Sequence, residues 1–381
     1  MFEKHLKKKK SNSTNSNIYN GKHVGDARCK FLRELKSGRE NTEKSGKRSK
    51  RLSSFSMNWD LEESSDPNHL FPDTTTTSKH LIPNHIVSSF ELPSYPLFAH
   101  VEKEPDTVRR KLIKAVEDKT GRTLILYYSN PQLPGSSINH QDISMFHEIL
   151  RILEYPKDVD LMIHSGGGVV EATEKLVKLI WSKVESLRVI VMEFAKSAAT
   201  LLSLASNEIL MSFMAELGPI DPLIQVGFDQ VTKQPEFRPA WSYLHVLDIL
   251  EEELKNKRDI RIVAQLLSVI DPTKLDIARK AIAYSQTLAT EWMVKYMGIH
   301  PKKAREIAKK LCDSKRLLSH GRVISVEDAC NLGLKVQKLD TDHELWPLLY
   351  QLHTRALMAV RPPVVKLFEC RDHTIRGSLS K

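Results

Sequence analysis

Three short apolar runs stand out near the middle of the chain, at residues 159–163, 187–194 and 208–211. Each is strand-length and nearly uninterrupted in Val, Ile, Leu and Met, as expected of strands buried on both faces. Between them, over residues 169–181 and 198–206, apolar positions recur at helical spacing. Strand, helix, strand, helix, strand predicts parallel pairing through crossover helices. Upstream, the spacing of Val108, Leu112, Ile113 and Val116 predicts a helix over residues 105–120 that stops at Gly121. A strand follows at 122–129, then a loop at 130–139 with two prolines and a glycine. Residues 142–153 read as a helix with Ile143, Phe146, Ile149 and Leu150 on one face.

Beyond Pro222 the pattern changes. Residues 223–238 are polar and irregular and read as a long loop or flap over the sheet end. Helices are expected at 239–257, with an exposed acidic run at 251–253, and at 276–297, 301–312 and 326–331. Gly333 would cap the last of these. A final strand is expected at 334–339 and a C-terminal helix at 345–360. The chain thus divides into a tail (1–80), a main α/β domain (81–340) and a C-terminal helix and tail (341–381).

Composition changes this picture mainly at the N-terminus. Residues 1–52 hold 16 Lys and Arg against 5 Asp and Glu, whereas the remaining chain holds 41 against 42. The net charge of +10 is therefore a property of the tail. Rich in Ser, Asn, Thr and Lys, residues 1–80 cannot bury enough apolar area to offset their ordering entropy, so disorder is expected there. Such a tail is either solvated or an electrostatic tether to nucleic acid or anionic lipid. No RNP, zinc-finger or helix-turn-helix pattern points to specific nucleic-acid binding. The four cysteines show no CxxC spacing, which fits a reducing compartment and no zinc or disulfide framework. No apolar run reaches the roughly 18 residues of a membrane helix, and no apolar core follows the basic start. A cytoplasmic protein, able to sit peripherally at a membrane through its tail, is expected.

Unusual chemistry gathers at two strand ends. Gly166, Gly167 and Gly168 follow the first central strand, and Lys196-Ser197 follow the second. Ligands of parallel sheets collect at the carboxyl ends of strands. A serine at a strand-to-helix junction meets the free N–H groups of the new helix, a setting that suits an alkoxide and a tetrahedral oxyanion. A glycine amide from the first turn and the amide of Ala198 would supply two oxyanion donors. The plainer reading of Ser197 is a helix N-cap. The glycines could instead form a dinucleotide loop with Glu193 on a ribose, but Glu171 stands where that fingerprint needs Gly or Ala.

The segments IHSGGG, AKSAATLLSLASNEILM and ELGPIDP resemble the Clp-protease/crotonase superfamily. More closely, they resemble the SppA-like serine proteinases called the serine dehydrogenase proteinase family. The resemblance runs from about residue 122 to 369 and takes in PAW (239–241) and SHGRVIS (319–325). It implies a ClpP/crotonase-like fold of parallel strands with crossover helices and a helical C-terminal part. It further implies a serine peptidase with Ser197 as nucleophile, Gly167 and Ala198 as the oxyanion hole, and Gly166 and Gly168 lining the substrate turn. Gly166 replaces the family's usual proline, and Ala199 its common glycine. The expected substrate is a peptide or protein, without cofactor or metal, in a homo-oligomer whose contacts the C-terminal helices could provide.

The base is left open. Clp proteases place a histidine about two dozen residues after the serine, where this chain has residues 217–221 and no histidine. SppA-like relatives use a lysine, which needs burial to lower its pKa. Lys233 and Lys255 lie at plausible separations, and His320 is the best histidine candidate. Lys196 should point away from its neighbour. His164, beside the glycine turn, could orient that loop; Asp221 could orient a base or form an Asx-type turn with Pro222. The rival classes are a crotonase-like acyl-CoA enzyme, which would use carboxylates in place of Ser197, and an inactive scaffold.

Overall fold

A computed structural model of the chain describes residues 57–62, 92–101, 104–231, 233, 235–256, 259–268, 270–313 and 318–379. Strand β1 (Met57–Glu62) falls inside the segment read as disordered; the rest of residues 1–80 lies outside the described residues. Helix α1 (Asp106–Thr120) ends on Gly121, whose φ of 66° no side chain adopts cheaply. It leads into β2 (Thr123–Ser129). Helix α2 (His140–Ile152) starts earlier than the apolar spacing predicts. Asn139 and Asp142 form a capping box there, so the polar turn before Ile143 is already helical. Then come β3 (Asp158–Ser165), α3 (Val170–Trp181), β4 (Ser186–Ala195), α4 (Ala198–Leu204) and β5 (Glu208–Ser212).

The short β6 (Glu216–Leu217) pairs with β4 at Phe194 and Ala195. Residues 223–238 are not an irregular flap. They fold back as an antiparallel hairpin, β7 (Leu223–Phe228) and β8 (Pro235–Pro239). Leu223, Phe228 and Phe237 are exposed on this pair, which stands apart from the main sheet, so its apolar positions give no clean alternation to read. Four helices follow: α5 (Ala240–Lys255), α6 (Ile260–Leu267), α7 (Pro272–Lys295) and α8 (Pro301–Cys312). Asp271 caps α7 ahead of Pro272 and sets its start one turn before the expected one. The chain continues through α9 (Val326–Leu332), β9 (Val336–Leu339) and α10 (Trp346–Ala359). What reads as a tail past residue 360 is instead β10 (Val364–Glu369) and β11 (Thr374–Leu379).

The main sheet has the order β1-β11-β10-β2-β3-β4-β5-β9. Strands β2, β3, β4, β5 and β9 are parallel, while β10, β11 and β1 add as an antiparallel edge. Side chains alternate between two buried layers. Ile125, Leu161, Ile163, Val189, Val191 and Ile209 face α2, α3, α4, α7 and α8. Leu124, Leu126, Met162, Ile190 and Leu210 face α1 and α10. Burial on both faces is why these strands read as continuous apolar runs. It also fixes register, since a one-residue slip would exchange the two layers.

Candidate active site

Strands β3 and β4 end side by side, with Ser165 paired to Ala195, so the glycine turn and the Lys196-Ser197 junction emerge together. The amide of Lys196 donates to the Ser165 carbonyl at 2.9 Å and holds the two turns against each other. Ser197 then takes φ 51° and ψ −118°. A non-glycine residue held there costs on the order of 1–3 kcal/mol. That strain reverses the chain sharply from strand into α4, in the manner of a nucleophile elbow. The Ser197 side chain makes no capping bond. The N-cap reading therefore does not account for it.

Gly167 lies directly against this elbow at φ 94°. A Cβ there would stand 2.8 Å from both the Ala198 nitrogen and the Ser197 Cβ, and 2.6 Å from the Lys196 carbonyl. Only glycine fits, and its absence of side chain brings the amide end of α4 beside the turn. Ala198 occupies the first turn of that helix, where N–H groups have no intrahelical acceptor. The Gly167 amide donates to Ser165 Oγ at 3.2 Å, a bond it would have to exchange to serve an oxyanion. Gly166 is exposed beside Pro131, and Gly168 packs against the backbone of Ile138 so closely that a Cβ would overlap it.

A second set of bonds brings the GPIDP turn to the elbow. Thr200, in the first turn of α4, donates its hydroxyl to the Ala195 carbonyl at 2.6 Å and accepts from the Gly218 amide at 2.9 Å. Leu217 exchanges backbone bonds with Ile324 at 2.9 and 3.1 Å, which carries the SHGRVIS segment to the same turn. Where the two segments meet, His320 Nδ1 lies 2.8 Å from Asp221 Oδ1. A carboxylate only accepts, so this bond places a proton on Nδ1 and leaves Nε2 as the ring nitrogen not engaged by Asp221, the arrangement a general base needs. Asp221 is 1% exposed, and its second oxygen has no hydrogen-bond partner among the described residues. Its carboxylate is thus committed to His320 and forms no Asx-type turn.

The other base candidates lie in unsuitable surroundings. Lys255 is paired with Glu251 one helical turn away on α5, and its side chain is 72% exposed. That pairing raises its pKa, the opposite of what a lysine base needs. Lys233 sits exposed in the β7–β8 turn at φ 57°. Lys196 lays its stem on Gly218 and commits its ammonium to Glu216 at 2.6 Å. His164 turns to the opposite face of the sheet. There it stacks on Tyr128 and lies 3.6 Å from Glu193 Oε2, with His353 3.5 Å from the same oxygen. Burial, reinforced by His353, pushes the His164 pKa down to about 3. Among the described residues no group of His, Cys, Asp and Glu could hold a metal ion.

A family model for the ClpP-like SDH-type serine proteinases matches residues 102–370. An uncharacterized protein of Methanocaldococcus jannaschii is 29% identical over 243 residues, which cover 61% of this chain and 75% of that protein. A second uncharacterized protein of the same organism is 30% identical over 192 residues, covering 50% and 56%. Similar solved structures include a serine-to-alanine mutant of the 1510-N membrane-bound stomatin-specific protease. It shares 15% identity at a TM-score of 0.33, covering 56% of this chain and 79% of that one. An asparagine-to-aspartate mutant of ClpP1 from Listeria monocytogenes shares 14% at a TM-score of 0.32, covering 61% and 97%.

Proposed function

The chain belongs to the ClpP-like SDH-type serine proteinase family, and from that premise we propose that it is a peptidase in which Ser197 attacks the scissile carbonyl. The observation that carries the reading is the elbow itself, an uncapped serine at φ 51° with Gly167 pressed against it. In this scheme His320 Nε2 takes the proton from Ser197 Oγ, and the new C–O bond leaves a negative oxygen between the amides of Gly167 and Ala198. His320 then returns the proton to the leaving amine, and a water molecule repeats the sequence to release the acyl group. Asp221 holds the ring in its working tautomer and offsets the imidazolium charge. Lys233 and Lys255 have no part in it.

The substrate class is an extended peptide or an unfolded protein segment. The enzyme works as a homo-oligomer, although not through the C-terminal helix, whose side chains are largely buried against the sheet. The apolar surface available for contacts lies on the hairpin and on α5 and α6, including Phe228, Phe237, Ile249, Ile260 and Leu266. No helix among the described residues is long and apolar enough to cross a membrane. The setting we assign is the cytoplasm, with the basic N-terminal tail as a weak electrostatic tether.

Hydrolysis of an unfolded protein substrate tests the scheme. Ser197→Ala should abolish turnover, and Asp221→Asn should lower kcat by several orders of magnitude, on the order of 10⁴-fold when an orienting carboxylate is lost. Equal turnover by wild type and Ser197→Ala would remove the peptidase reading.

A further inference from the structure

One buried charge pair on the active-site face of the sheet has no part in the scheme above. Lys366, in the middle of β10, points into the apolar layer beside Phe368, and both it and Asp142 have fully buried side chains. Lys366 Nζ donates to both oxygens of Asp142, at 2.7 and 2.8 Å, and to the Ser137 carbonyl at 2.7 Å. The Asp142 carboxylate also accepts from Tyr127 Oη at 2.8 Å and from the Asn139 amide at 2.9 Å. Five directed bonds therefore converge on the three-residue stretch 137–139 and its anchor.

The residue in the middle of that stretch is Ile138. Its amide donates to the Gly167 carbonyl, and its carbonyl accepts from the Val169 amide, both at 2.9 Å. The two bonds straddle Gly168, which sits on the Ile138 backbone with no room for a Cβ. Ile138 thus holds the carbonyl of the Gly167–Gly168 peptide, and the elbow packs against Gly167 from the other direction. A buried ion pair contributes little net stability compared with an apolar pair of the same shape. Geometric precision is a better account of why one is placed here.

We propose that Lys366 and Asp142 are positioning residues for the proposed peptidase reaction. Together they hold segment 137–139 so that Ile138 clamps the Gly167 carbonyl and the Val169 amide, and thereby fixes the turn that carries the Gly167 amide proposed to meet the oxyanion. The inference rests on the peptidase reading for its kinetic consequence, though not for the clamp itself.

The test uses the full chain with Lys366→Met and the double variant Lys366→Met/Asp142→Asn, which leaves no lone buried carboxylate. A reference double variant, Arg109→Met/Glu369→Gln, removes another buried ion pair that does not touch the turn. Amide hydrogen exchange is read at Ile138 and Val169, and phosphonylation by a fluorophosphonate is read by mass. In the Lys366 variants both amides should exchange at least tenfold faster while those of α3 and β4 keep their protection. The maximal rate of phosphonylation should fall about ten- to a hundredfold, part of what removal of one oxyanion donor costs, with the half-saturating reagent concentration unchanged. The reference variant should match wild type in both. Unchanged exchange at Ile138 and Val169 overturns the clamp. Faster exchange with an unaltered phosphonylation rate overturns its role in aiming the donors. A wild type that is not phosphonylated at all counts against the peptidase reading, and the exchange result then decides the clamp alone.

Discussion

Ser197 and Gly167 explain each other. The serine adopts φ 51° because the chain must reverse between β4 and α4, and the reversal brings its backbone to where any Cβ on Gly167 would collide. Gly167→Ala should therefore displace the elbow and misplace both of the oxyanion donors proposed above. We expect a fall in acylation of at least about 100-fold, the usual cost of one lost donor. Pre-steady-state burst kinetics with an activated ester would read it, and a burst rate within threefold of wild type would show that the turn is not the donor. That the two turns lie together was legible from the sequence because three glycines after a strand and a serine before a helix are local signals. Asp221 and His320 were legible only as separate candidates. They stand 99 positions apart, and nothing in GPIDP or SHGRVIS alone says that the two side chains meet at 2.8 Å. The Lys366–Asp142 pair carried no signal, since a lysine in what reads as a C-terminal tail is taken as solvated until its distant partner is known.

At the scale of elements, the ends of β3 and β4 serve two faces. The elbow and glycine turn rise on one side. On the other, buried His164, the residue before Ser165, lies in a polar group with buried His353 and Tyr128 and half-exposed Glu193, contributed by α10, β2 and β4. His164 Nδ1 has no hydrogen-bond partner among the described residues, and burial holds the ring neutral down to about pH 3. In the unfolded chain the same imidazole takes a proton below about pH 6.5. The folded-state pKa is the lower one, so stability is complete above about pH 6.5 and declines as the pH falls toward 3, by about 1.4 kcal/mol per unit. His164→Phe should remove this contribution. Between about pH 6.5 and 5, wild type should lose about 2 kcal/mol more than the variant in urea unfolding. Parallel losses in the two proteins would place the acid sensitivity elsewhere. The parallel strands and crossover helices were readable because their period and length agree. The β7–β8 hairpin was not, since exposed Leu223, Phe228 and Phe237 leave it no clean alternation and its identity as a strand pair comes from backbone pairing.

Across the whole molecule, apolar surface is distributed unevenly. The sheet and the helices on its two faces bury theirs, whereas much of what remains exposed lies on the hairpin, α5 and α6. Exposed apolar patches of this kind mark interaction surfaces. The double variant Phe228→Asp/Leu266→Asp should shift the protein to a smaller species in sedimentation velocity, with its circular dichroism unchanged. An unaltered mass distribution would move the contacts to another face. The charge pattern located the basic excess in the tail, and the resemblance allowed oligomer contacts on the C-terminal helices, of which the last, α10, is largely buried. That helix is apolar because it covers one face of the sheet, and amphipathic spacing alone does not distinguish a core partner from another subunit.

The central claim is that Ser197 is an activated nucleophile. Intact-mass analysis after fluorophosphonate treatment tests it most directly, on wild type, Ser197→Ala and His320→Ala. The account predicts a single adduct on wild type, none on Ser197→Ala and strongly slowed labelling of His320→Ala. Equal labelling of wild type and Ser197→Ala, or no labelling of folded wild-type protein, would contradict it.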